Sequence, residues 1–85
     1  MTTQIMPDLL RRMKADPDAD VRLIVRVKGD PAAAAEHLAG GPLRVLRTFT
    51  LISGLAVAGQ ARDGLRLLDE PWVERVEEDR VVRVL

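Results

Sequence analysis

Residues 21–28 alternate between apolar and polar side chains, and this regular pattern constrains the fold more than any other part of the sequence. Every second residue from Val21 to Val27 is aliphatic, while the intervening positions carry three basic residues and Ile24. Because successive side chains of a strand point to opposite faces of a sheet, the pattern predicts a strand with one buried face.

The residues after this strand predict a short helix. Gly29 supplies a turn, Asp30 a side-chain cap, and Pro31 a ring that suits the first helical position. Residues 32–39 are rich in alanine, a strong helix former. The Gly-Gly-Pro sequence at 40–42 ends the helix, because glycine accepts left-handed geometry and proline cannot continue the hydrogen-bond ladder.

The second half of the chain predicts two strands, a helix and a last strand. Residues 43–52 and 55–58 have strand composition, and Ser53 with Gly54 marks the turn or bulge between them. An apolar stripe at helical spacing then ends near Pro71. The stripe consists of Ala61, Leu65, Leu68 and Trp72. The closing residues are rich in valine and predict the last strand, with Val73 and Val76 as its buried positions.

The predicted order is therefore strand, helix, strand, strand, helix, strand. This is the split βαβ order of ferredoxin-like folds, an α+β arrangement with a four-stranded antiparallel sheet and two helices on one face. Residues 21–85 are assigned to this domain.

Residues 1–20 are assigned to a separate N-terminal arm. Ile5, Leu9 and Met13 recur every four residues and predict a short amphipathic helix, with Pro7 in its first turn. Two roles for its apolar face are open: docking on the domain, or contact with a partner helix or a second copy of the chain.

The composition favours a binding module over an enzyme. The 85 residues suffice for one lean domain, and the sequence has no cysteine for a thiolate nucleophile or a cysteine-based zinc site. The only histidine, His37, has no evident catalytic partner, and Ser53 lies in no nucleophile motif. We therefore expect no catalytic residue, no metal and no cofactor.

Charge and aromatic content argue against nucleic-acid and membrane partners. The 13 basic residues balance the 13 acidic ones, so no strong field favours an anionic partner. Phe49 and Trp72 are expected in the core and not as stacking platforms. Without a basic region followed by a long apolar run at the N-terminus, cytoplasmic residence is the default expectation, with secretion if the chain is a fragment of a longer precursor.

Three segments resemble the propeptides of subtilisin-like serine proteases and their free-standing inhibitor relatives. They are the strand at 21–28, the Ser-Gly-Leu-Ala sequence at 53–56, and the closing Pro-Trp-Val-Glu-Arg-Val-Glu-Glu-Asp sequence at 71–79. The resemblance covers about residues 21–85, and the Pro-x-Val-x-x-Val-Glu-Glu-Asp ending is its most specific part.

This resemblance implies that the chain inhibits a subtilisin-like serine protease. In that family the outer sheet face packs on two surface helices of the protease, and carboxylates near the last strand cap the N-termini of those helices. Matched by position, the caps are Glu77 and Asp79, which share one face of the last strand. Family members also assist the folding of their protease.

The resemblance also implies a role for the C-terminal tail as a product-like strand in the protease cleft. Leu85 then fills the apolar specificity pocket, Val84 and Arg83 line the cleft, and Val82 occupies a second apolar pocket. The chain departs from the pattern of the family in its N-terminal arm and in having no protease domain in the same sequence. The alternative function is a non-catalytic interaction domain that forms a homodimer through its sheet or its arm.

Overall fold

A computed structural model describes residues 3–79 as a small α+β protein, in which a five-stranded mixed sheet packs against three helices. The strands are β1 (Gln4–Ile5), β2 (Asp20–Val27), β3 (Arg44–Phe49), β4 (Gly54–Gln60) and β5 (Val73–Glu78). The helices are α1 (Pro7–Ala15), α2 (Pro31–Leu38) and α3 (Ala61–Arg66), and α3 is extended by a 3₁₀ turn, Leu67–Asp69.

The strand order across the sheet is β1-β5-β2-β4-β3, and every neighbouring pair is antiparallel except β1 and β5. The sequence predicts four strands, whereas the structure has a fifth because Gln4 and Ile5 pair in parallel with β5. Ile5 is therefore in a strand and not in the predicted helix. Pro7 explains the difference, since a proline disfavours helical geometry at the residue before it, and Met6 is extended.

The hydrophobic core lies between one face of the sheet and the helices. Its strand residues are each at most 3% exposed, and in β2 and β4 they alternate as the sequence predicts. In β5 the two buried valines are three positions apart, because the pairing of β5 with β2 shifts between Arg26 and Val27. They are Leu23, Val25, Val27, Leu55, Val57, Val73 and Val76. We call this helix-covered side of the sheet the inner face.

The N-terminal segment packs into the same core. Leu9 and Met13 of α1 are buried among the inner-face residues, and α1 contacts α3. The two helices approach closely at Gly64, where an added Cβ would lie 2.8 Å from Met13 Cε and 2.9 Å from Leu23 Cδ1. A side chain at this position would force the ends of the Met13 and Leu23 side chains to shift.

The short helix α2 has the boundaries that its flanking residues predict. The Asp30 carboxylate accepts a hydrogen bond from the backbone N–H of Ala32 at 3.0 Å, and Pro31 opens the helix. After the helix, Gly40 has a φ of 78°, the left-handed geometry that a helix C-terminus favours. The predicted cap and stop signals are thus confirmed.

Candidate docking face of the sheet

All three helices pack on the inner face, so no helix of residues 3–79 covers the opposite, outer face of the sheet. Strand pairing arranges its side chains in three rows, each running from β3 through β4 and β2 to β5. The rows are Arg44, Ala58, Arg22 and Asp79; Arg47, Ala56, Ile24 and Glu77; and Phe49, Gly54, Arg26 and Arg75. Asp79 joins the first row because its backbone N–H donates to the Arg22 carbonyl at 2.9 Å.

The middle of the outer face is lined only by small residues. Gly54, Ala56 and Ala58 occupy the outward positions of β4, between larger side chains on β2 and β3. Ala56 and Ala58 are 5% and 6% exposed, yet neither belongs to the hydrophobic core under the helices. The larger neighbours on the outer face therefore shield them. We call this channel, with β4 as its floor and β2 and β3 as its walls, the β4 groove.

The β4 groove widens into a depression of about 280 Å³ above Ala56. Three apolar residues of its lining are Ile24, Leu46 and Phe49, and the charged residues Arg22, Arg47 and Asp79 also line it. Leu46 is 46% exposed because a bulge in β3 at this residue breaks the alternation. The depression therefore offers apolar surface to solvent, but charged side chains share its lining.

The tip of the β3–β4 hairpin continues this apolar surface. Leu51 is fully exposed and Ile52 is 43% exposed, and the Ile52 side chain lies beside Gly54 at one end of the β4 groove. Ser53 has a φ of 48°, in the left-handed region that a tight turn requires. The turn predicted at this serine is confirmed.

The outer face carries more positive than negative charge. The rows contain five arginines and two carboxylates. Arg26 and Arg75 both approach Glu77, with nitrogen to oxygen distances of 4.0 Å and 3.3 Å. Within residues 3–79, Arg22 and Arg44 make no ion pair, so their charges are available to a partner.

The two predicted capping residues lie together on this face. Glu77 and Asp79 both point outward from β5, whereas Glu78 between them points to the helix side. The Asp79 carboxylate makes no ion pair with the described part of the chain, residues 3–79. Glu77, in contrast, has to exchange its arginine contacts before it can accept hydrogen bonds from a partner.

Glu78 joins the last strand to the N-terminal helix. Its Oε2 accepts a hydrogen bond from Nη1 of Arg12 at 2.9 Å. This hydrogen bond, followed by the negative charge of Glu78, raises the pKa of the Arg12 guanidinium above its ordinary value. The pair ties α1 to β5 immediately before the chain reaches Asp79.

The two aromatic residues have different environments. Trp72 packs against the core, stacks on His37 with ring centroids 5.8 Å apart, and donates from Nε1 to Glu70. Phe49 is outside the core, so the expectation of a core position is wrong for it. The Arg47 guanidinium lies 5.9 Å from its ring centre, on the outer face. The pairing of Phe49 with Gly54 gives the ring this position.

The remaining predicted site residues lie outside the described part of the chain. Val82, Arg83, Val84 and Leu85 follow Asp79 beyond the described range of residues 3–79. Within that range no group of three or more histidine or acidic residues could hold a metal ion. No helix there is long and apolar enough to cross a membrane.

Comparisons with known proteins assign the chain to no family. No protein-family model matches the sequence, and no curated protein matches it.

Proposed function

We propose that the chain is a non-catalytic inhibitor, or a folding partner, of a subtilisin-like serine protease. The observation that carries the proposal is a sheet face, not covered by any helix of residues 3–79, that exposes apolar side chains beside charged ones and bears the two carboxylates Glu77 and Asp79. Such a face suits a protein partner, because covering exposed apolar side chains lowers the free energy of the complex.

We further propose that residues 20–78 form a ferredoxin-like unit to which the N-terminal segment is added. Support comes from the strand order β5-β2-β4-β3, from the antiparallel pairing of all these neighbours, and from α2 and α3 on the same face. In this proposal β1 and α1 extend the edge and the helix layer of the unit.

Glu77 and Asp79 are proposed to cap two helices of the protease. A helix N-terminus presents unpaired N–H groups and a partial positive charge, so a carboxylate placed there accepts hydrogen bonds and lowers the electrostatic energy. The outward orientation of both side chains supports this role. Asp79 is the better placed of the two, since Glu77 already contacts Arg75 at 3.3 Å.

The tail residues Val82 to Leu85 are proposed to fill the active-site cleft of the protease as an extended strand. An edge strand offers main-chain hydrogen bonds to a peptide, and pockets accept alternate side chains. Support on this side of the interface is positional: β5 ends at Glu78, Asp79 lines the outer face, and the tail follows two residues later in the sequence.

Inhibition of a purified subtilisin on a fluorogenic peptide substrate tests the proposal. The full chain should inhibit, and a chain that lacks residues 82–85 should lose potency by at least about a hundredfold, because the cleft contacts are gone while the fold remains. Lys14→Gln, on the exposed side of α1, is the control and should inhibit like the wild type. If no subtilisin-like protease responds to the full chain, the proposal is wrong.

A further inference from the structure

We infer that a small cavity on the helix side of the protein binds a lysine side chain of a partner protein. The cavity lies between the end of α2, the loop that leads into β3, and α3 with its 3₁₀ turn. These helices pack on the inner face of the sheet, so the cavity is separate from the outer face and the inference does not rest on the proposed function. We call it the α2–α3 cavity, and its lining includes Leu38, Leu43, Asp63, Arg66, Leu67 and Glu70.

The size and the apolar wall of the α2–α3 cavity suit one aliphatic side chain. Its volume is about 160 Å³, whereas cavities that bind whole small molecules usually measure about 300–1,000 Å³. Leu43 and Leu67 are only 6% and 2% exposed and belong to the core, so the packing of the domain holds this wall in place. A chain of methylene groups that lies against such a wall is removed from water, which favours binding.

Asp63 gives the α2–α3 cavity a carboxylate that can accept a further hydrogen bond. The Asp63 side chain is only 12% exposed, yet it accepts no hydrogen bond from any side chain or backbone group of residues 3–79. Its contact with Arg66, from Oδ1 to Nη1, measures 3.9 Å, which is too long for a hydrogen bond. Since the Arg66 side chain is 77% exposed, it lies mainly in solvent and leaves Asp63 accessible to a donor that enters the cavity.

Glu70 adds a second carboxylate to the same lining. Its Oε2 accepts a hydrogen bond from Nε1 of Trp72 at 3.1 Å, which restrains the side chain and leaves other lone pairs for a ligand. With the lining residue His37 neutral, the two carboxylates and the one guanidinium of Arg66 give the lining a net negative charge. The α2–α3 cavity therefore favours a cation over an anion.

Lysine combines the two properties that the α2–α3 cavity requires. It buries its aliphatic stem along apolar surface and carries an ammonium group at the end. The ammonium donates hydrogen bonds in several directions, whereas the guanidinium of arginine donates in one plane. Because Asp63 lies in α3 and Glu70 follows the 3₁₀ turn, the two acceptors belong to separate elements and suit the ammonium better.

Titration of the full chain with n-butylammonium tests the inference without a protease. Trp72 fluorescence reports binding, since the indole is hydrogen bonded to Glu70, and the amide shifts of Leu38 and Leu43 locate it, with Ala56 on the outer face as the reference. The matched probes are 1-butanol, which has the same apolar stem without charge, and pentanoate, which has the opposite charge. We expect n-butylammonium to bind at least about tenfold more tightly than either, because it adds a charge-assisted hydrogen bond to the same apolar contact.

Two substitutions should change the affinity for n-butylammonium in opposite directions. D63N should weaken binding at least about fivefold, whereas R66Q should strengthen it about twofold, because it removes a cation that competes for Asp63. R11Q removes the same charge from an exposed position on α1 and should leave the affinity unchanged. Asp63 also lies in the first turn of α3, where its charge favours the helix, so urea unfolding must show that D63N is folded. The comparison of R66Q with R11Q tests the inference even if D63N does not fold.

A lysine blocked as its N-acetyl methylamide distinguishes a protein side chain from a free amine. It should bind as tightly as n-butylammonium, and norleucine blocked in the same way should bind about tenfold more weakly, since it lacks the charge. If n-butylammonium binds and the blocked lysine does not, the α2–α3 cavity accepts free amines only and the inference is wrong.

Three further results would overturn the inference. They are equal binding of 1-butanol or pentanoate, an R66Q affinity no higher than that of R11Q, and shifts of Leu38 and Leu43 no larger than that of Ala56. None of these measurements depends on whether the chain inhibits a subtilisin, so this inference and the proposed function can fail separately.

Discussion

The Arg12 guanidinium and the Glu78 carboxylate join the N-terminal helix to the last strand, with 2.9 Å between Nη1 and Oε2. The Arg12 side chain is 50% exposed and the Glu78 side chain 30% exposed, so solvent weakens the attraction. We predict that a double-mutant cycle of Arg12→Gln and Glu78→Gln gives a small but measurable favourable coupling free energy. Urea unfolding followed by the fluorescence of Trp72 measures it.

The Arg75 and Glu77 pair on the outer face provides a comparison for this cycle. Both side chains are substantially exposed, at 45% and 35%, and neither joins the sheet to a helix. Its coupling should be no larger than that of the first pair. A coupling near zero for Arg12 and Glu78 would mean that the hydrogen bond does not hold α1 in place.

Two methionines in the N-terminal segment make a matched test of its packing. Met13 is 2% exposed and packs beside Gly64, whereas Met6 is 66% exposed. We predict that Met13→Ala lowers the free energy of unfolding by about 2–5 kcal/mol, because it removes buried methylene groups and leaves a cavity. Met6→Ala should change it by less than about 0.5 kcal/mol.

Urea unfolding of both variants provides the measurement. Equal effects at the two positions would show that α1 is not part of the cooperative fold and that residues 1–20 behave as an independent arm. Since the Met13 side chain reaches the core of the sheet, we expect a single unfolding transition for the wild type.

The sequence predicts most of the fold because apolar residues of the inner face recur at every second position in β2 and β4. Val25 and Val57 follow the alternation and are completely buried. Asp30 and Pro31 fix the start of α2, because a capping carboxylate and a proline at the first helical position act on the adjacent backbone. Local signals of this kind need no knowledge of distant contacts.

The fifth strand could not be predicted in this way. Gln4 and Ile5 form only a two-residue strand, and its pairing with β5 depends on contacts more than seventy positions away in the sequence. The helical spacing of Ile5 and Leu9 favours the wrong element until the effect of Pro7 on Met6 is considered.

The sequence predicts part of the candidate site. Alternation places Glu77 and Asp79 on one face of the last strand, and the structure places both on the outer face. The sequence prediction does not include the β4 groove, although the small residues at positions 54, 56 and 58 indicate it. Small residues in a strand are equally compatible with a buried core position. Only the strand pairing shows that these three lie on the outer face.

Removing the two proposed capping charges should weaken inhibition without unfolding the chain. We predict that E77A/D79A reduces potency about ten to a thousand times, since each cap contributes about 0.5–2 kcal/mol. D79A alone should account for most of the loss, because Glu77 must first give up its contact with Arg75. The inhibition constant for a responsive subtilisin is the measurement.

Glu74→Ala is the control for these carboxylates, because Glu74 is an exposed carboxylate on the same strand, outside the three rows of the outer face. It should leave potency within about twofold of the wild type. If E77A/D79A inhibits as well as E74A, the carboxylates do not cap helices of the protease.

Enlarging the floor of the β4 groove should separate binding from stability. Ala56 is 5% exposed beneath larger outer-face side chains and lies outside the hydrophobic core, so a leucine at this position pushes those side chains outward into the depression of about 280 Å³. We predict that Ala56→Leu leaves the free energy of unfolding within about 1 kcal/mol of the wild type, because no core side chain has to move.

The same change should reduce inhibition at least about tenfold, since the added side chain keeps a partner helix away from the sheet. Ala33→Leu, on the exposed side of α2, is the matched control and should alter neither quantity. Undiminished inhibition by Ala56→Leu would show that the partner does not enter the β4 groove.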